Sequence, residues 1–254
     1  MPNKVARYGW IPDLPDARDH RWSASRAVLE RLPPHVDLTP ACPPVYDQGE
    51  LGSCTANAIA GAIELLQRTK ARAETFTPSR LFIYYNERVL EHTVDADAGA
   101  MLRDGIKTAH RQGVCPEAQW PYRVDRFAQR PPERCYTEAQ EHQGLVYRRV
   151  ERDLGHLKGC LAAGHPFVFG FAVYASFESA AVEASGTVPM PDPSEPQIGG
   201  HAVLAVGYDE RQRRFLVRNS WGAGWGCAGY GTLPYDYLLD ENLADDFWML
   251  RLAE

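Results

Sequence analysis

Along the chain, the pattern of apolar and polar positions changes twice. Residues 1–31 are rich in Pro, Asp, Arg and aromatic residues and carry no apolar period. Each proline disfavours helix in the residue before it, so Trp10 to Asp19 predicts an extended arm with local turns. The chain stays looped to about residue 51. Ser53 to Arg68 then brings small and aliphatic residues, with Ile59, Ile63 and Leu66 at helical spacing. A helix apolar nearly all round is expected to be buried. Ser53 would be its N-cap, which places Cys54 in the first turn. Two more helices are predicted over 79–90 and 101–112, the second stopped by Gly113. Beyond Pro131-Pro132 the pattern switches to strands at 145–150, 167–174, 202–208, 215–218 and 229–233, with a short helix near 153–163. Helices first and strands second predict an α+β protein with a helical lobe and an antiparallel β-rich lobe.

Composition removes classes rather than choosing one. Hydrophobic residues at 44% and charged residues at 24% are ordinary globular values. With 27 basic against 33 acidic residues the net charge is −6, and no basic cluster stands out. Nucleic acid and anionic membrane surfaces are therefore not expected partners. The longest apolar run, Pro166 to Phe177, is too short for a membrane span. The amino terminus has no apolar core ahead of a small-residue cleavage site, so no secretory signal is recognised. A cytoplasmic location, or export by a non-classical route, is the expectation. The 6 cysteines lie singly at 42, 54, 115, 135, 160 and 227, with no Cys-x-x-Cys pair, and no two histidines sit at metal-ligand spacing. Neither a metal nor another cofactor is expected.

Candidate chemistry begins at Cys54. A lone cysteine on an apolar helix is usually a small buried hydrophobe. At a helix N-terminus, however, unpaired backbone N–H groups and the macrodipole favour a thiolate. Thiolate catalysis also needs a base and a group that orients it. Gly199-Gly200-His201-Ala202-Val203 puts a histidine at the mouth of an apolar strand, and the next strand runs into Asn219-Ser220-Trp221-Gly222. If the hairpin turns around Glu210, His201 and Asn219 face each other across the ladder. The Asn219 carbonyl would then accept the Nδ1–H of His201 and leave Nε2 aimed outward.

Three motifs together resemble the papain-like cysteine peptidases of bacterial type. They are Gln48-Gly49-Glu50-Leu51-Gly52-Ser53-Cys54, Gly200-His201-Ala202-Val203, and Asn219-Ser220-Trp221-Gly222-Ala223-Gly224-Trp225-Gly226. The order Gln, Cys, His, Asn matches that family, as do the separations of 6, 147 and 18 residues. The resemblance implies two lobes meeting in a cleft, with a peptidase domain over 32–254. A helical lobe would span about 46–140, a β-rich lobe about 141–235 and a C-terminal crossover 236–254. It implies Cys54 as nucleophile, His201 as its ion-pair partner, Asn219 as orienter and Gln48 as oxyanion donor beside the Cys54 N–H. Trp221 would shield the His201–Asn219 bond. Gly99 and Ala100 would form the edge that pairs with an extended peptide or protein substrate. Met101 and Gly200 would wall the pocket for the second side chain before the scissile bond, where an apolar residue is expected.

Two departures from the family pattern bear on the chemistry. Leu51 stands where the family usually has a disulfide-bonded cysteine, and Thr55 stands where tryptophan usually follows the nucleophile. Few or no disulfides are expected. Residues 1–31 are expected to be a short pro-segment against the cleft or a strap on the body of a monomer. The same triad could serve a transamidase or peptide ligase, and the same fold an inactive binding module. Intact Gln48, Cys54, His201 and Asn219 argue against the last.

Overall fold

Apolar periodicity decides which segments become regular structure. The structure, a computed structural model, describes residues 8–70 and 75–253, so the arm is seen from Tyr8 onward and its residues 1–7 lie outside the described residues. The arm is mostly extended, as its prolines dictate, but contributes β1 (Trp10–Ile11), β2 (Arg21–Trp22) and the single turn α1 (Arg26–Leu29). Next come β3 (His35–Asp37), α2 (Cys54–Thr69), α3 (Arg80–Leu90), β4 (Ala100–Met101), α4 (Leu102–Gln112) and α5 (Glu133–Glu141). The strand-rich part holds β5 (Leu145–Val150), α6 (Leu154–Ala162), β6 (Phe167–Tyr174), α7 (Ala180–Ser185) and β7 (Gln197–Asp209). It ends with β8 (Arg214–Arg218), β9 (Tyr230–Pro234), α8 (Tyr235–Leu239) and β10 (Ala244–Leu252).

Among the described residues one sheet runs β2-β5-β10-β6-β7-β8-β9, with β3 pairing β7. Its pairs are antiparallel except β2 with β5. The C-terminal segment does not simply cross over: β10 is an interior strand between β5 and β6. Its side chains alternate between two apolar clusters, Trp248, Leu250 and Leu252 on one side and Phe247 and Met249 on the other. The first cluster is shared with α2, α3 and α4, and α2 is buried along its length from Cys54 to Gln67. That helix therefore sits where its sequence is apolar all round, packed on β7. Gly113 ends α4 at φ 74, in the left-handed region that favours glycine. No helix among the described residues is long and apolar enough to cross a membrane.

Candidate active site

Cys54 opens α2 and is fully buried. Ser53 holds the N-cap position as expected, but its side chain makes no capping bond to the helix. At φ −100° and ψ 27° its backbone is not extended, and its hydroxyl lies 2.6 Å from the Tyr122 hydroxyl and accepts from Asn57 Nδ2 at 3.0 Å. His201 lies in β7 and Asn219 follows β8, and both are buried. His201 Nε2 meets Asn219 Oδ1 at 2.8 Å, while His201 Nδ1 has no hydrogen-bond partner.

Two expectations about this pair are corrected. The hairpin does not turn around Glu210. Asp209 pairs with Arg214 across a four-residue loop, Arg213 sits at φ 54, and the register slips between Ala205 and Gly207. Leu204 therefore faces Arg218, and Asn219 reaches His201 diagonally. A diagonal partner meets the ring nitrogen farther from the backbone, so Nε2 faces Asn219 and Nδ1 is left open. The expectation had these two nitrogens exchanged. Trp221 covers the pair, its ring centroid 5.1 Å from that of His201.

Gln48 is held from both sides of the cleft. Its backbone N–H donates to Ser220 O at 2.8 Å, its Oε1 accepts from Ser220 Oγ at 2.6 Å, and its Nε2 donates to Leu51 O at 2.8 Å. Ser220, absent from the sequence-based site, thus links the glutamine to the residue beside Asn219. The Ser220 N–H also donates to Asn219 Oδ1 at 2.8 Å.

The segment Tyr8 to Asp13 lies in the cleft. β1 pairs in parallel with β4, Trp10 beside Ala100 and Ile11 beside Met101, and Ala100 N–H donates to Gly9 O at 2.8 Å. Gly99, at φ 76, turns the chain so closely under the arm that an added Cβ would stand 2.4 Å from Gly9 O. The edge expected to receive a substrate is therefore occupied by the protein's own chain. Tyr8 lies on His201 and Trp221, with both centroid distances 6.2 Å, and its hydroxyl donates to Glu178. Trp10 lies flat on Gly200 and Gly170.

Beyond Trp10 the pocket differs from the apolar one expected. Gly200 forms one wall, but the far end carries Asp246, fully buried. Asp246 Oδ2 accepts from Trp10 Nε1 at 3.0 Å and from Asp13 N–H at 2.8 Å, and its Oδ1 accepts from Arg149 at 3.2 Å. Asp13 in turn accepts from Trp248 Nε1 at 2.8 Å and from Arg103 N–H at 3.1 Å. The sequence signal for this end of the site was the acidic pair Asp245-Asp246 interrupting an otherwise apolar strand.

Burial shapes the electrostatics. It pushes the Cys54 thiol up to about 12, against backbone hydrogen bonds from Ala202 and Gly9 that favour the thiolate. It pulls His201 down to about 4, with the Asn219 bond opposing. The closed cleft therefore favours the neutral thiol and neutral imidazole. Next to Cys54, Thr55 Oγ1 donates to Glu87 at 2.7 Å, and full burial raises the Glu87 carboxyl well above its usual range. All six cysteines are free thiols. Among the described residues no group of three His, Cys, Asp or Glu side chains could hold a metal ion.

A buried cysteine at the head of a helix, together with a buried histidine bonded to an amide, is the residue set of the thiol hydrolases. Residues 32–238 match the papain family cysteine proteases, and the chain belongs to that family as a cysteine-type peptidase. It superposes on xylellain, a cysteine protease from Xylella fastidiosa, with a TM-score of 0.93 and 45% identity, covering 100% of this chain and 99% of that one. It is 48% identical to an uncharacterized peptidase C1-like protein of Acanthamoeba polyphaga mimivirus, over 96% of this chain and 86% of the viral protein. Cathepsin K of Gallus gallus is 30% identical over 83% of this chain, which spans 59% of that protein.

Proposed function

We propose that the chain hydrolyses peptide bonds with Cys54 as nucleophile and that the described structure is its latent form. The reading is carried by one observation: His201 bonds Asn219 through Nε2 and leaves Nδ1 unpartnered. With the arm displaced, water returns to the thiol and imidazole. A proton then moves from Cys54 to His201, and Asn219 holds the resulting ring in place. The thiolate adds to the substrate carbonyl. The oxyanion is received by the Cys54 N–H and the Gln48 amide, and His201 gives its proton to the leaving amine. Water, deprotonated by His201, then releases the acyl group from sulfur.

The arm is a poor substrate because of its direction. The leaving side of a peptide must lie against His201, which protonates it, and the acyl side along Ala100 and Met101. Tyr8, amino-terminal to Gly9, takes the first place, and Trp10 and Ile11 take the second. The arm thus crosses the cleft reversed, with no amine positioned to leave. Intact mass after incubation with an epoxysuccinyl inhibitor tests the reading. The full-length wild type, Cys54→Ala and Gly9→Ala would be compared. One adduct, formed faster in Gly9→Ala and absent from Cys54→Ala, is expected. No adduct on a folded Gly9→Ala chain would refute it.

A further inference from the structure

The loop ahead of Cys54 contains one peptide unit that is gripped at both ends. Its carbonyl, Leu51 O, accepts from Gln48 Nε2 at 2.8 Å and from the Ser53 N–H at 2.8 Å. Its N–H, on Gly52, donates to both oxygens of Asp97, at 3.0 and 3.1 Å. A peptide unit is planar and turns as one body, so whatever fixes the Gly52 N–H also fixes the Leu51 carbonyl. A carboxylate is the stronger kind of acceptor, and the bond it draws from the N–H polarises the carbonyl on the other side. The side chain on which that carbonyl acts is Gln48, whose Oε1 is already held by Ser220 Oγ at 2.6 Å.

Asp97 also reaches the pairing edge. It accepts from the Tyr84 hydroxyl, and Tyr84 Oη in turn accepts from the Gly99 N–H at 3.3 Å. Gly99 leads directly into Ala100, whose N–H bonds the arm. Tyr84 is fully buried, and the Arg88 guanidinium lies 4.0 Å from its ring centre. Arg88 also donates to the carbonyls of Val94 and Ala96 at 2.9 Å each, which ties down the segment entering Asp97. One carboxylate thus holds the loop that contacts Gln48 and, through a tyrosine, the edge along which an extended chain pairs.

We propose that Asp97 is a positioning residue for the peptidase reaction: it aims the Gln48 amide at the oxyanion and sets the Gly99–Ala100 edge for the substrate backbone. The inference rests on the peptidase reading above. Asp97 acts through other groups, through the Leu51–Gly52 unit on kcat and through Tyr84 on KM.

The test uses the full-length Gly9→Ala chain, in which the arm is displaced, and reads two reactions of Cys54. Hydrolysis of a peptide amide builds an oxyanion. Alkylation by iodoacetamide does not, because the thiolate sulfur attacks a saturated carbon and iodide leaves. Asp97→Ala is expected to lower kcat about 10- to 100-fold while the alkylation rate stays within about threefold. A merely structural loosening of the loop would move both rates together. Asp97→Asn keeps one oxygen for Gly52 and Tyr84 and should recover most of the loss. Added to Gln48→Ala, Asp97→Ala should cost little further in kcat. Tyr84→Phe unties Gly99 alone and should raise KM about 3- to 10-fold with kcat held. If Asp97→Ala does not fold, the KM of Tyr84→Phe decides. Unchanged kcat in folded Asp97→Ala, equal losses in hydrolysis and alkylation, or an unchanged KM in Tyr84→Phe would each overturn the proposal while leaving a working peptidase. Absence of both Cys54 labelling and turnover in the folded Gly9→Ala chain would instead overturn the peptidase reading, and this inference with it.

Discussion

Gly9 lies so tightly over Gly52 that an added Cβ would stand 1.8 Å from the Gly52 carbonyl oxygen. Both contacting groups are backbone, and Gly52 is pinned by its N–H to Asp97 at 3.0 Å, so neither can yield cheaply. Gly9→Ala is therefore expected to eject the arm from the cleft while leaving the body folded. Overpacking of this kind typically costs about 1–3 kcal/mol, which translates into roughly 10- to 100-fold more open cleft. Alkylation of Cys54 by iodoacetamide, followed by intact mass, should accelerate by that factor. Equal rates in the wild type and Gly9→Ala would show that the arm does not limit access.

On the proposed mechanism Gln48 serves the oxyanion through its amide, and its variants should show this kinetically. In the Gly9→Ala background, Gln48→Ala is expected to lower kcat by about 10²–10³ with KM nearly unchanged, the signature of a donor used in the transition state. Ser220→Ala removes the hydroxyl that holds Gln48 Oε1 but leaves the amide in place. Its loss should stay within about tenfold, and in combination with Gln48→Ala it should add almost nothing. A full additional loss in the double variant would show that Ser220 serves something other than Gln48.

Much of this site could be read in the sequence because its chemistry is local. A small-residue helix after Gly52-Ser53, a histidine entering an apolar strand and an asparagine ending the next one each announce themselves over a few residues. Strands 145–150 and 167–174 were legible for the same reason, an apolar pattern bounded by turn residues. Register was not. The diagonal approach of Asn219 to His201 depends on a bulge at Val206 and a loop residue at positive φ, and neither leaves a mark on apolar periodicity. The place of Trp10 on Ala100, Gly170 and Gly200, and the meeting of Asp13 with Asp246, depend on residues far apart in the chain, which no local pattern encodes. The segment 236–254, expected as a crossover, contains β10, and its pairing between β5 and β6 is likewise a long-range property that no local pattern shows.

Asp13 gives the arm a pH dependence of definite sign. Burial, with the nearby Asp246 carboxylate, raises its carboxyl from 3.8 to about 7, against Arg103 and the Trp248 indole. A carboxyl raised in the folded state favours folding fully below its unfolded value, and that contribution is lost as pH rises from about 4 through 7. Asp13→Asn cannot titrate, so its melting temperature relative to wild type should climb across that window and level off above it. Three pH units correspond to at most about 4 kcal/mol, or roughly 10 °C for a chain of this size. A difference in Tm that stays flat between pH 4 and 8 would mean that Asp13 is ionised throughout.

Thr55 replaces the tryptophan usual after the nucleophile, and its hydroxyl serves a buried acid instead. Glu87 is fully buried, its Oε1 accepts from Thr55 Oγ1 at 2.7 Å, and its Oε2 has no partner. Gly105 makes room for it, since a Cβ there would stand 2.3 Å from Oε2. Because burial favours the neutral form of this carboxyl, Glu87→Gln preserves shape and an acceptor for Thr55, and should change stability by less than about 1 kcal/mol. Thr55→Val keeps the volume but leaves Glu87 with no donor, which should cost about 1–3 kcal/mol and lower Tm by roughly 3–10 °C. Thr55→Ser restores the hydroxyl and should recover most of that loss. If valine is tolerated and serine brings no gain, the Thr55–Glu87 bond contributes nothing, and the first turn of α2 is held by packing alone.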